Sequence, residues 1–167
     1  TAVGAYALLN NTTADNNTAV GYESLYNNTT GTINTALGRQ ALRANTTGAD
    51  NTAVGYALVS NTTGDYNTAV GRGALNANTT ADDNTAVGHN ALDANTTGNK
   101  NTAVGKDALG ANTTGSQNVA VGRAAANLLT TGSYNIAIGD LALKQNSTGS
   151  GNVVIGYDAL QVASISD

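Results

Sequence analysis

The chain is expected to be all-β, a parallel β-solenoid (β-roll) of ten coils of about 17 residues, and three observations lead there. A block built on N-T-A-V-G-x-x-A-L-x-x-N-T-T-G-x-x recurs ten times in 167 residues. Its motif glycines, Gly4, Gly21, Gly38, Gly55, Gly71, Gly88, Gly105, Gly122, Gly139 and Gly156, are spaced by 17 residues except for one step of 16, Gly55 to Gly71. The large side chains of a globular core are missing: Phe, Trp, Met, Cys and Pro are absent, and the aromatics are seven Tyr. A short fixed period means units that bury their apolar atoms only against their neighbours. A core of Ala, Val and Leu has to be thin, which suits a narrow coil better than two packed layers.

Each repeat opens on three residues before the motif glycine. The first is Thr in seven copies, then Val119, Ile136 and Val153; the second is Ala in nine copies, then Val154; the third is always Val, Leu or Ile. A β-branched run preceded by Asn and closed by Gly predicts a short strand. Side chains alternate across a strand, so the first and third positions share one face and the alanine takes the other. Both faces are apolar and both call for burial.

Two variable, often charged residues follow the glycine, as in Arg39 and Gln40 or Lys106 and Asp107. The 16-residue copy loses its residue here, between Gly55 and Ala57, and a deletion is tolerated best in a turn. The A-L-x-x-N-T-T segment then predicts a second straight arm. Strand alternation there would place Leu25, Leu42, Leu75 and their equivalents on one face with the first Thr of each pair. The Asn and the second Thr would take the other. Ala, Leu and Asn are poor strand formers, and A-L would equally suit one helical turn. A second glycine, as at Gly31, Gly48 and Gly64, closes the coil, with Ala14 and Ala81 as exceptions.

Ten coils stacked at strand spacing make a rod about 45 Å long, in which equivalent positions superpose as ladders. The Asn before each strand is invariant: Asn17, Asn34, Asn51, Asn67, Asn84, Asn101, Asn118, Asn135 and Asn152. Stacked amides pair with one another and satisfy the polar groups of a corner. A ligand-binding row is the alternative. The array covers residues 1–160. Ala163 and Ile165 break its pattern, so 161–167 is expected to be a degenerate repeat or the start of a cap. The chain opens in mid-repeat without an initiator Met, as expected of a piece of something longer.

Enzymatic chemistry has little material. His89 is the only histidine and takes a corner position held elsewhere by Tyr22, Arg39 or Lys106. Carboxylates such as Asp65, Asp82, Asp83 and Asp107 sit at variable turn positions without a matched pair. No glycine pattern of a phosphate loop or calcium β-roll occurs. The expectation is no catalytic, cofactor or metal site, and no cofactor. A net charge of −4 with scattered Lys and Arg argues against nucleic acid as a partner. No apolar run is long enough for a membrane span. The N-T-T motif creates N-x-[ST] acceptors, among them Asn11, Asn28, Asn45 and Asn112, which are either glycan sites of a secreted fibre or simply repeat chemistry.

The strand with its flanks, N-V-A-V-G at 118–122 and N-I-A-I-G at 135–139, resembles the S-V-A-I-G repeats of YadA-like trimeric autotransporter adhesin heads. The N-T-A-V-G-x-x-A-L form is similar to arrays in phage tail fibres and surface fibres. The resemblance implies a left-handed parallel β-roll, a homotrimer and a role in surface attachment. This chain departs from the head pattern in its longer period and its A-L-x-x-N-T-T arm.

The expected function is that of a non-enzymatic structural segment of an extracellular, cell-surface or virion fibre, an adhesin head or shaft. It acts by self-assembly and attachment to a host-surface or matrix ligand that the residues do not name. An ice-binding solenoid, using the Asn/Thr face as a flat ladder, is the alternative. A tail fibre whose carbohydrate-processing part lies elsewhere is a third reading. The row Ala2, Ala19, Ala36, Ala53, Ala69, Ala86, Ala103, Ala120 and Ala137 stays small and apolar. It is expected to meet either the opposite arm of its own coil or a neighbouring chain, so that Leu at Ala69, Ala86 and Ala103 would overpack that contact.

Overall fold

The computed structural model describes residues 1–160, and the expected degenerate end at 161–167 lies outside the described residues. Ten short strands occur in chain order: β1 (Ala2–Val3), β2 (Thr18–Val20), β3 (Thr35–Leu37), β4 (Thr52–Val54), β5 (Thr68–Val70), β6 (Thr85–Val87), β7 (Thr102–Val104), β8 (Val119–Val121), β9 (Ile136–Ile138) and β10 (Val153–Ile155). They form one ten-stranded sheet in sequential order with every neighbouring pair parallel. The register is one coil throughout, Ala36 opposite Ala53 and, across the 16-residue step, Ala53 opposite Ala69. No helix occurs among the described residues. The chain is an all-β parallel solenoid with one repeat per coil.

The strands point their alanines inward. Ala19, Ala36, Ala53, Ala69, Ala86, Ala103, Ala120 and Ala137 are fully buried, whereas the flanking Thr and Val or Ile side chains face outward. Of the two partners expected for the alanine row, the structure selects the opposite side of the same coil. There the row meets a layer of leucines, Leu25, Leu42, Leu58, Leu75, Leu92, Leu109 and Leu143, in one continuous cluster. Leucine at Ala69, Ala86 and Ala103 would therefore overpack the coil interior and not a contact between chains.

The second arm is neither a strand nor a helical turn. Ala41 and Leu42 are adjacent and both fully buried, which two-fold alternation forbids. The backbone turns continuously instead, with Gln40 and Leu42 in the left-handed region at φ 60° and 52°. Four-residue turns close from Ala41 N–H to Gly38 O, Arg43 N–H to Gln40 O and Asn45 N–H to Leu42 O. The remaining N–H groups point along the rod, as from Leu42 to Ala57 O at 3.2 Å and from Ala44 to Val59 O at 3.0 Å. A left-handed leucine costs on the order of 1–2 kcal/mol. Each coil repeats that cost at the same place, and the axial hydrogen bonds plus a fully buried leucine, together about 2–4 kcal/mol, offset it.

The corner after each strand needs glycine because successive coils touch there. Gly21 has φ +130°, and a Cβ on it would lie 2.5 Å from Gly38 O. The second glycine row is under similar pressure, and Ala81 shows what a methyl group does to it. Thr79 N–H reaches Thr96 O at 3.3 Å, against 2.8 Å for Thr62 N–H to Thr79 O one coil before.

Candidate functional site

Two ladders of asparagine run through the coil interior. In the first, the Asn before each strand accepts from the next coil's backbone and donates across the coil. Asn34 N–H donates to Asn17 Oδ1 at 2.8 Å, and Asn34 Nδ2 donates to Gly48 O at 2.8 Å. Asn51, Asn67, Asn84, Asn101, Asn118 and Asn135 continue the chain of bonds, and Asn152 N–H closes it on Asn135 Oδ1 at 3.0 Å. Asn34 through Asn101 are fully enclosed. Such a row satisfies backbone groups that the narrow coil hides from water.

The second ladder is made by the Asn of N-T-T. Asn45 Nδ2 donates both to Asn28 Oδ1 and to Gly48 O, each at 2.8 Å, and Asn61, Asn78, Asn95 and Asn112 repeat the pattern. Both amide hydrogens of Asn28, Asn45 and Asn112 are engaged and their side chains are fully buried. N-glycosylation bonds a sugar to that nitrogen, so the folded coil has no room for a glycan at these three positions. Asn11, in the first coil, is half-buried and donates to Ala14 O at 3.0 Å. The Asn and second Thr of N-T-T therefore do not share an outer face. Only the second Thr is exposed, and the first ties its hydroxyl to the next coil, as Thr46 Oγ1 does to Thr62 O at 2.9 Å.

Leu129 interrupts the second ladder, and Asn112 Oδ1 is left buried without a partner. The same coil carries Ala126 where others carry the core leucine. Both are buried in the common core, so Leu129 supplies the volume that Ala126 lacks. A double-mutant cycle is expected to show this. Leu129→Asn alone leaves a cavity beside Ala126, and Ala126→Leu alone overfills the coil. The two together restore both the leucine layer and the partner of Asn112, with a favourable coupling of about 1–3 kcal/mol. Additive effects in chemical denaturation would refute the exchange.

The outer surface divides into a flat strand face and a varied corner. The face carries two rows, Thr18, Thr35, Thr52, Thr68, Thr85 and Thr102 beside Val20, Leu37, Val54, Val70, Val87, Val104, Val121 and Ile138. Val20, Leu37, Val87, Val104 and Val121 each leave between 37% and 38% of their surface in solvent. No charge interrupts either row.

The corner after the glycine carries Tyr22, Arg39, Tyr56, Arg72, His89, Lys106 and Arg123 in successive coils. Arg43 Nε meets Glu23 Oε2 at 2.8 Å and its guanidinium lies over the Tyr26 ring. Hydrogen bonds from Gln40 and Arg43 hold the Glu23 carboxyl below the usual carboxylate range, and Glu23 in turn raises the Tyr22 hydroxyl. Burial raises Asp93. His89 is solvated and 4.0 Å from Asp107. Among the described residues no three His, Cys, Asp or Glu converge as a metal-binding group, and no helix is long and apolar enough to cross a membrane.

Legibility differed between these features. The first ladder follows from an invariant Asn at one register. The second, broken only at Leu129 among the described residues, was hidden behind the sequon motif. Comparison of the chain with protein-family models, with curated proteins and with solved structures finds no significant match.

Proposed function

We propose that this chain is a non-enzymatic rod segment of an extracellular or virion fibre, assembled as a homotrimer through its strand face. The observation that carries the reading is the uninterrupted Thr and Val/Leu/Ile face, apolar and uncharged over the whole rod while the corners change freely. Long exposed apolar stripes are uncommon on soluble monomers, and a rod with so thin a core gains most from burying a flat side against copies of itself. Three such faces close around one axis. The resemblance to adhesin-head repeats supports the same arrangement, with attachment to a surface as its purpose.

The test is the mass in solution. Light scattering is expected to give about three chains per particle, and Val87→Lys with Val104→Lys is expected to release monomers by placing like charges on the contact face. A stable monomer from the unmodified chain would overturn the assembly. The outward Thr row also favours a second reading, because regular hydroxyls and methyls on a rigid flat sheet suit ordered water. Thermal hysteresis or reshaped ice crystals from a monomer would establish that ice-binding alternative in place of the fibre.

A further inference from the structure

The one shortened coil leaves the only step in the solenoid's period, and the groups around it lack partners. In the regular coils the second residue after the glycine donates its N–H to the preceding coil, as Gln40 does to Tyr22 O and Asn90 to Arg72 O. The coil at Gly55–Tyr56–Ala57 has no such residue, so Arg39 O receives no backbone N–H. In the next coil the equivalent residue is Gly73, with no side chain. Two successive side chains are therefore missing from the corner. A depression of about 500 Å³ opens there, lined by Arg39, Gln40, Gly55, Tyr56 and Arg72.

An adjoining hollow shares Tyr56 and Arg72 and extends to Asn76. Asn127, at the position equivalent to Asn76, donates to Asp107 O of the preceding coil. The residue whose carbonyl would accept the same bond from Asn76 Nδ2 is the deleted one; on the same side chain Oδ1 is also buried with no partner. Charge is unbalanced at the same place. Arg43, His89, Lys106 and Arg123 each lie within 4.0 Å of a carboxylate, whereas neither Arg39 nor Arg72 does among the described residues. Two free guanidinium groups thus stand two coils apart, about 9–10 Å along the rod, with the Tyr56 ring between them.

We propose that this notch is a docking site for an acidic sugar, a uronate or sulfated residue of an anionic glycan. A guanidinium matches a carboxylate or sulfate with paired N–H donors. Tyr56 offers an apolar ring face to the C–H side of a pyranose, as aromatic rings do in sites with one dry and one wet side. The Gln40 amide oxygen, its Nε2 being held by Glu23, and the unpaired Arg39 carbonyl are placed to accept from sugar hydroxyls. The proposal gives a ligand class to the attachment role proposed above and rests on that reading only for its biological setting.

The test is calorimetric titration of the whole chain with oligouronate, with a sulfated oligosaccharide and with a neutral oligosaccharide of equal length. Light scattering is run on the same samples. Oligouronate or the sulfated sugar is expected to bind and the neutral one not to; which acid binds tighter identifies the source of the charge. Arg39→Ala and Arg72→Ala are each expected to weaken binding about tenfold. Insertion of one Asn after Tyr56, which restores the 17-residue period and fills the notch, is expected to abolish binding with the coil intact by circular dichroism. Failure of both acidic sugars to bind at millimolar concentration, or unchanged binding after the insertion, overturns the proposal. Inorganic sulfate that competes as strongly as the sugar also overturns it, leaving a bare anion site. A monomer that still binds acidic sugar would sink the trimer and leave the docking site standing; a trimer that binds neither would do the reverse.

Discussion

Replacement of Gly88 by alanine is expected to destabilise the rod by about 3 kcal/mol or more. Two independent causes act together. Gly88 has φ +139°, a region that L side chains rarely adopt, and its added Cβ would lie 2.5 Å from Gly105 O and 2.7 Å from Gly105 C. Those atoms are backbone, so relief requires separating two coils. Separation stretches every axial hydrogen bond around that junction, because the coils meet as flat rings. Gly151→Ala is the control: φ is +73°, yet nothing lies within 4 Å of the new methyl group. Only the conformational term remains there, about 1 kcal/mol. Urea denaturation of the two variants checks the argument. Equal losses would mean that coil contact at the corner contributes nothing.

The second large effect is expected at Asn101, in the middle of the first ladder. Asn101 Oδ1 accepts from Asn118 N–H at 3.0 Å and from Asn118 Nδ2 at 3.1 Å, and its own Nδ2 donates to Gly115 O at 2.8 Å. Asn101→Ala removes all of these and leaves a backbone N–H buried with no acceptor. Each buried group so orphaned costs about 1–3 kcal/mol, so a loss of about 2–4 kcal/mol is expected. Asn101→Asp separates shape from hydrogen bonding. It keeps the acceptor but loses the donor to Gly115 O, and it buries a charge. Its loss is expected to shrink as pH falls and the carboxyl protonates, since only the neutral form suits the dry interior. A pH-independent deficit at Asn101→Asp would show that water reaches the ladder.

The two arms of the coil show how far sequence alone carries. In the strand arm, Thr-Ala-Val alternates, two-fold alternation is a local property, and the residues and their register were legible from the period. In the other arm, Ala-Leu places two apolar residues side by side. Local rules offered a strand or a helical turn, and the chain uses neither. Left-handed Gln40 and Leu42 are unfavourable in isolation, so no propensity scale signals them; only the bonds to the coils above and below make that path the better one. The buried Asn of N-T-T was obscured differently. Asn, Thr and Thr are all polar, and hydropathy does not reveal that one of them turns inward to pair with its copies.

The sequence by itself determined a parallel stack with one coil per repeat, the glycine corners, the first asparagine row and the place of the one-residue step. Each of these repeats at a fixed register, and a period needs no partner to be read. Tertiary structure alone decided that alanine faces in and Val faces out, that the second arm is a run of turns, and that a second amide ladder crosses the interior. It also decided that the shortened corner leaves Arg39 O without a backbone donor. The physical reason is that the direction of a side chain in a thin coil depends on which opposite wall has room for it. That room exists only after neighbouring coils have stacked and fixed the path of the backbone between them.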